Sequence, residues 1–247
     1  MTPSGDTPPV RPGDVRDGAG VPEPAAGHTG ARLAAERPEL VIAVPRGALL
    51  ADTLGVLDRL GIDTTEVREN DRRLLFAEAG IVTMRPSDVP TYVEHGAADV
   101  GITGKDVLLE QPDREVYELL DLHYGHCRMI VAQPEGADPL ERSMRRLGAV
   151  RVATKYPRIA RGHFAATGRQ AEIVEVKGSV ELAPLTGLVD AIVDLTASGR
   201  TLAENRLAER EEIAVCTARL IANPAAHKLK AAAVDDLVAR LRAAVPR

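Results

Sequence analysis

The segment Asp194-Leu-Thr-Ala-Ser-Gly-Arg-Thr-Leu202 combines a carboxylate, three hydroxyls and a glycine within nine residues. It begins at the end of the β-branched run Asp190-Ala-Ile-Val-Asp-Leu195 and opens a helix read from Thr201 and placed at residues 202–207. A strand–loop–helix junction of this kind aims several backbone N–H groups at one point, with the positive end of a helix dipole behind them. Gly199 and the small neighbours Ala197 and Ser198 allow an anion to approach the backbone, and the Thr196, Ser198 and Thr201 side chains supply hydroxyls. The chemistry this suits is the binding of a phosphate group. A plainer reading also fits: Thr201-x-x-Glu204 has the pattern of a capping box after an ordinary turn.

The elements that position this loop alternate between short β-like runs and longer amphipathic stretches. Residues 40–44, 81–84, 99–103, 151–154, 171–176 and 190–195 read as strands. Residues 49–60, 86–96, 157–167, 180–188 and 231–245 read as helices, several of them closed by glycine. Residues 104–110 read as a loop with a short helix. Residues 116–132 read mostly as one long strand bent at Gly125, and residues 212–221 as a further β run. This alternation predicts an α/β fold of two lobes, with mostly parallel sheets and a cleft between them. Residues 39–125 with 209–247 are expected to form the first lobe, and residues 126–208 the second, which carries the loop. Residues 1–38 hold seven prolines and six glycines without periodicity. They read as a disordered extension with a short helical piece at 31–36, and they lack the pattern of a secretory signal.

Composition narrows the function. The 247 residues include six aromatics and no tryptophan, so Val, Ile, Leu and Ala must fill the core. No apolar run is long enough to span a membrane. The net charge of −5 argues against a general nucleic-acid binder but allows local basic pockets. Cys127 and Cys216 make no disulfide framework, which suits a reducing cytoplasm. His123, His126 and Cys127 are not spaced to place three ligands on one face, so no protein-held metal is expected.

Seven motifs in succession carry a family resemblance. They are Pro45-Arg-Gly-Ala-Leu49, Arg85-Pro-Ser-Asp-Val-Pro-Thr-Tyr-Val-Glu94, Asp99-Val-Gly-Ile-Thr-Gly-Lys-Asp106, Ala153-Thr-Lys-Tyr-Pro157, Gly178-Ser-Val-Glu-Leu-Ala-Pro184, the 190–202 segment and Ala218-Arg-Leu-Ile-Ala-Asn223. From residue 40 onward the chain resembles ATP phosphoribosyltransferase, and the motifs stand in that family's order. The resemblance implies a fold like that of the periplasmic binding proteins and the first step of L-histidine biosynthesis. In that step ATP and 5-phosphoribosyl 1-pyrophosphate (PRPP) give N1-(5-phosphoribosyl)-ATP and pyrophosphate, with Mg2+ carried by the pyrophosphate. Only 24 residues follow Asn223. The resemblance is therefore to the short form, which implies a hetero-oligomer with a regulatory subunit similar to histidyl-tRNA synthetase.

The same resemblance assigns site residues. Asp194, Thr196, Ala197, Ser198, Gly199, Arg200 and Thr201 match the PRPP motif, with Asp194 beside the ribose hydroxyls. Arg46, Arg72 and Arg73 are candidates for the pyrophosphate and triphosphate, because a guanidinium grips phosphate oxygens in a fork. Lys105 and Glu181 are further candidates; a solvated lysine and a helix-capping carboxylate are their plain alternatives. No general acid or base stands out. The chain departs from the family at Ala48, where a basic residue is usual, at Arg206, where glycine is usual, and at Thr196, where valine is usual. These departures leave room for a paralogous phosphoribosyltransferase using another nucleophile; a non-catalytic ligand-binding protein on the same scaffold is a separate alternative.

Overall fold

The computed structural model describes residues 39–245; the extension read as disordered at 1–38, with its helical piece at 31–36, lies outside the described residues. With strands numbered along the chain, the first sheet contains β1 (Ile42–Pro45), β2 (Leu75–Phe76), β3 (Ile81–Met84), β4 (Val100–Gly104), β5 (Tyr117–Asp121) and β11 (Ala218–Ala222). Their order is β2-β3-β1-β4-β11-β5. The second contains β6 (Cys127–Pro134), β7 (Ala149–Thr154), β8 (Gln170–Glu175), β9 (Ala191–Thr196) and β10 (Leu207–Cys216), in the order β10-β6-β9-β7-β8.

Both sheets are mixed, which corrects the expectation of mostly parallel ones. β1 runs parallel to β3 and β4, and β7 parallel to β8 and β9. The pairings of β2, β5, β6, β10 and β11 are antiparallel. The short segments from β5 to β6 and from β10 to β11 join strands of different sheets.

These two connections carry the chain between the sheets. The stretch read as one long strand divides at residues 122–126, where His123 (φ 57°) and Gly125 (φ 66°) take left-handed backbone. A Cβ on Gly125 would lie 2.2 Å from Leu49 Cδ2, so only glycine makes this bend without moving Leu49. The return is at Thr217, later than the expected boundary at 209. Residues 209–216 belong to the second sheet because β10 pairs with β6 along its length. Glu209, Arg210 and Glu212 are exposed there, as suits charged residues on an edge strand. The crossings lie side by side: Leu122 N–H donates to the Ala218 carbonyl and Ala218 N–H to the Tyr124 carbonyl, both at 2.9 Å.

The first sheet is buried on both faces, which explains its unbroken apolar runs. Ile42, Val44, Ile102 and Leu220 pack with Leu54, Leu57, Phe76, Val234 and Leu241 on one face, against α1 (Leu50–Arg59). Val41, Ala43 and Ile221 pack with Val89 and Val93 on the other. In β6, Met129 and Val131 join the Val152–Phe164 cluster, while Ile130 and Ala132 join Ile192 and Leu202 on the opposite face. Each buried Val, Leu, Ile, Phe or Met among them contributes about 1.5–3 kcal/mol on burial.

Helices α2 (Thr65–Glu69), α3 (Val89–Glu94) and α4 (Lys105–Glu110) follow α1. In the second lobe come α5 (Pro139–Leu147), α6 (Pro157–Ala166), α7 (Leu182–Leu185) and α8 (Arg200–Glu204), and α9 (Pro224–Leu229) and α10 (Ala231–Ala244) close the fold. The periodicity reading missed α2, α5 and α9. α5 buries only Pro139 and Leu140, although Asp138 caps its start (Glu141 N–H to Oδ1, 3.0 Å) and Gly148 ends it at φ 71°.

Candidate active site

β9 is buried along most of its length and delivers the 197–199 turn to solvent. Gly199 holds φ 73°, a left-handed conformation that glycine adopts without strain. The following helix is shorter than expected: α8 spans five residues, Arg206 turns at φ 53°, and β10 already starts at Leu207. The left-handed Arg206 accounts for the glycine usual at that position in the family. The capping-box alternative is not what forms, because Gly199 occupies the N-cap and Thr201 lies inside the helix.

Two hydroxyls of the turn hold two of its amides. Thr196 Oγ1 accepts from Gly199 N–H at 3.1 Å, and Ser198 Oγ from Arg200 N–H at a long 3.4 Å. The first contact is a product of the Thr196 departure, since valine offers no acceptor. For the Ala197, Ser198 and Thr201 amides no internal acceptor is found among the described residues. The turn wraps a pocket of about 180 Å³ lined by Glu181, Asp194, Ser198, Gly199 and Thr201, among others. Glu181 stands at the N-cap of α7 without capping it. It is half-buried and faces this pocket.

Asp194 is 6% exposed at the pocket edge. Its Oδ1 accepts from Leu195 N–H at 2.8 Å and lies 3.1 Å from Lys155 Nζ. Burial pushes this carboxyl above the usual carboxylate value, and the Lys155 ammonium opposes the rise. Glu181 adds a further upward push.

Leu195 and Ala197 line both this pocket and a larger cavity of about 750 Å³ between the sheets. The larger cavity is faced by Ala48, Arg85, Asp106, Lys155, Tyr156 and Lys177. Tyr156 OH donates to Asp106 Oδ2 at 3.0 Å, joining the two sides of the cleft. Burial raises the Asp106 carboxyl as well, the Tyr156 hydroxyl opposing it. A Cβ on Gly104 would fall 2.0 Å from Asp106 Oδ1, so this glycine makes room for the carboxylate.

Arg46 and Arg73 come together with Arg68 and Asn70 around a neighbouring pocket of about 380 Å³. There Arg46 donates to the Asp71 carbonyl, and Arg73 donates to the Glu66 carboxylate and, at 2.9 Å, to the Leu75 carbonyl. Arg72 is exposed on the same segment. Lys105 is turned away from the cleft and binds Glu118 on β5 at 2.7 Å. Arg85, Asp106 and Lys177 were not singled out from the sequence; the signal available was their place at the carboxyl ends of β3, β4 and β8, where α/β sheets keep their ligands. His126, Cys127 and Cys216 line the cleft. Among the described residues no group of three His, Cys, Asp or Glu side chains is placed to hold a metal ion, and no helix is long and apolar enough to cross a membrane.

The family model described as HisG: ATP phosphoribosyltransferase matches residues 85–243. An ATP phosphoribosyltransferase of Rubrobacter xylanophilus is 53% identical over 203 residues, covering 81% of this chain and 94% of the relative. The chain belongs to the ATP phosphoribosyltransferase family. A family member from Sorangium cellulosum is 49% identical, with 83% of this chain and 95% of the relative covered. Among solved structures, the ATP phosphoribosyl transferase (HisG:HisZ) complex from Thermotoga maritima matches with a TM-score of 0.71 and 35% identity, over 83% of this chain and 98% of that one. The ATP phosphoribosyltransferase fold is the two-lobed, periplasmic-binding-protein-like one. The family's enzymes are pentosyltransferases that take the first step of histidine biosynthesis, and they need a divalent metal.

Proposed function

We propose that this chain is the cytoplasmic catalytic subunit that condenses ATP with PRPP, releasing pyrophosphate. The observation that carries the residue assignment is the small pocket of the 196–201 turn, with Asp194 in its wall, meeting the interlobe cleft at Leu195 and Ala197. The PRPP 5′-phosphate lies in the turn, where free amides and the Ser198 and Thr201 hydroxyls meet its oxygens. Asp194 accepts from the ribose hydroxyls. PRPP enters as its Mg2+ complex, the ion offsetting the charge of the leaving pyrophosphate.

In the displacement, the bond from the anomeric carbon to the pyrophosphate oxygen breaks, and adenine N1 donates its lone pair to that carbon. N1 is unprotonated at neutral pH, so the protein has no base to provide; its task is to orient the two reactants and stabilise separated charge. Lys155, Arg85 and Lys177 bring positive charge into the cleft, while Arg46, Arg72 and Arg73 approach from the first lobe. Ala48 offers no charge. The HisG:HisZ composition of the Thermotoga maritima neighbour supports a regulatory subunit resembling histidyl-tRNA synthetase as partner.

The test is pyrophosphate release by the chain with that partner. Release from PRPP only when ATP is present supports the proposal; equal turnover with another nucleobase contradicts it.

A further inference from the structure

Two carboxylates of α4 grip the start of α6. Asp106 and Glu110 are four residues apart, so they share one face of the helix. Asp106 takes the Tyr156 hydroxyl at 3.0 Å. Glu110 takes two backbone amides, Arg158 N–H on Oε1 at 2.8 Å and Ile159 N–H on Oε2 at 3.0 Å. Such amides have no acceptor inside their own helix, and a carboxylate answers both the hydrogen-bonding need and the helix dipole. Asp113 adds an ion pair to Arg158, but both side chains are largely exposed and the pair contributes little. α4 follows β4 of the first sheet and α6 follows β7 of the second, so these contacts bridge the lobes. Just before α6 stand Tyr156 and Lys155, and Lys155 reaches Asp194.

We propose that Glu110 is a positioning residue for the transfer reaction: by clasping the first turn of α6 it sets the spacing of the lobes, and with it the place of Lys155 and Tyr156 in the cleft. This rests on the cleft being the site of phosphoribosyl transfer. The turn that holds the 5′-phosphate lies wholly in the second lobe, so losing the clasp disturbs the meeting of the reactants more than the capture of PRPP.

The experiment compares Glu110→Ala and Glu110→Gln with the unaltered chain, each with the regulatory subunit, by steady-state kinetics and by PRPP calorimetry without ATP. Glu110→Ala should lower kcat about 10-fold or more while PRPP affinity stays within about 2-fold, and Glu110→Gln, which keeps one acceptor oxygen, should fall between. Small-angle scattering of the unliganded chain should show a larger radius of gyration for Glu110→Ala, a readout independent of any activity. Unchanged kcat, an equal loss of kcat and PRPP affinity, or an unchanged radius overturns the proposal. Failure of the transferase reading would show separately, as absent turnover in the unaltered chain.

Discussion

The two regions proposed to hold phosphate groups are built in opposite ways. The 196–201 turn rises from the buried β9 and is braced by its own contacts, Thr196 to Gly199 and Ser198 to Arg200. The arginine segment at 69–75 is exposed, and the Arg46 and Arg73 guanidiniums are occupied by the Asp71 carbonyl and the Glu66 carboxylate. A preformed pocket spends little free energy on reorganisation when its ligand arrives. The arginines must exchange partners first, but an exposed ion pair is worth only about 0–1 kcal/mol, so the exchange is easy. On the proposed assignment, one region supplies anchoring, and the other supplies charge that adapts to the bound substrate.

Variants can break or sharpen this contrast. The largest effect is expected at Asp194, a buried carboxylate beside the anchoring turn. Asp194→Asn should lower kcat/KM by roughly 100-fold, the scale of a lost charge-assisted hydrogen bond in a desolvated site. Arg46→Ala and Arg73→Ala should each raise KM by about 10-fold or less, because each first gives up a contact of its own. Steady-state kinetics in which the arginine variants lose as much as Asp194→Asn would erase the distinction between anchor and adaptable charge.

A smaller effect concerns pH. Burial raises the Asp194 carboxyl, and Lys155 is the main influence holding it down. Lys155→Met removes that influence, so Asp194 stays protonated to higher pH and the acid limb of the kcat/KM profile moves upward. A limb that stays put or moves down would show that Lys155 does not control this carboxylate. The smallest effect belongs far from the cleft: Arg145→Ala, which breaks the exposed pair with Glu141, should change stability by less than about 0.5 kcal/mol in thermal denaturation.

β9 and the turn after it were legible because a β-branched run ending in small residues is a local signal. The length of α8 was not: residues 202–207 read as one helix, yet Arg206 takes a left-handed conformation that no glycine announces. The switch of β10 to β11 at Thr217 was hidden because residues 212–221 read as a single β run without glycine or proline. Asp106 with Tyr156, and Glu110 with Arg158, meet across about fifty positions, and no local pattern encodes such pairings. Lys105 was a cleft candidate with a solvated lysine as its alternative, and the nearby Glu118 on β5 captures it.

The most direct test of the anchoring turn is PRPP calorimetry on Gly199→Val. The surroundings leave open space at this position, so the substitution strains the φ 73° backbone without striking neighbouring atoms. It also puts a branched side chain where the proposed assignment has the phosphate approach. The account predicts that PRPP affinity drops by about 100-fold or more in a chain that still folds. Wild-type affinity in that variant would contradict it.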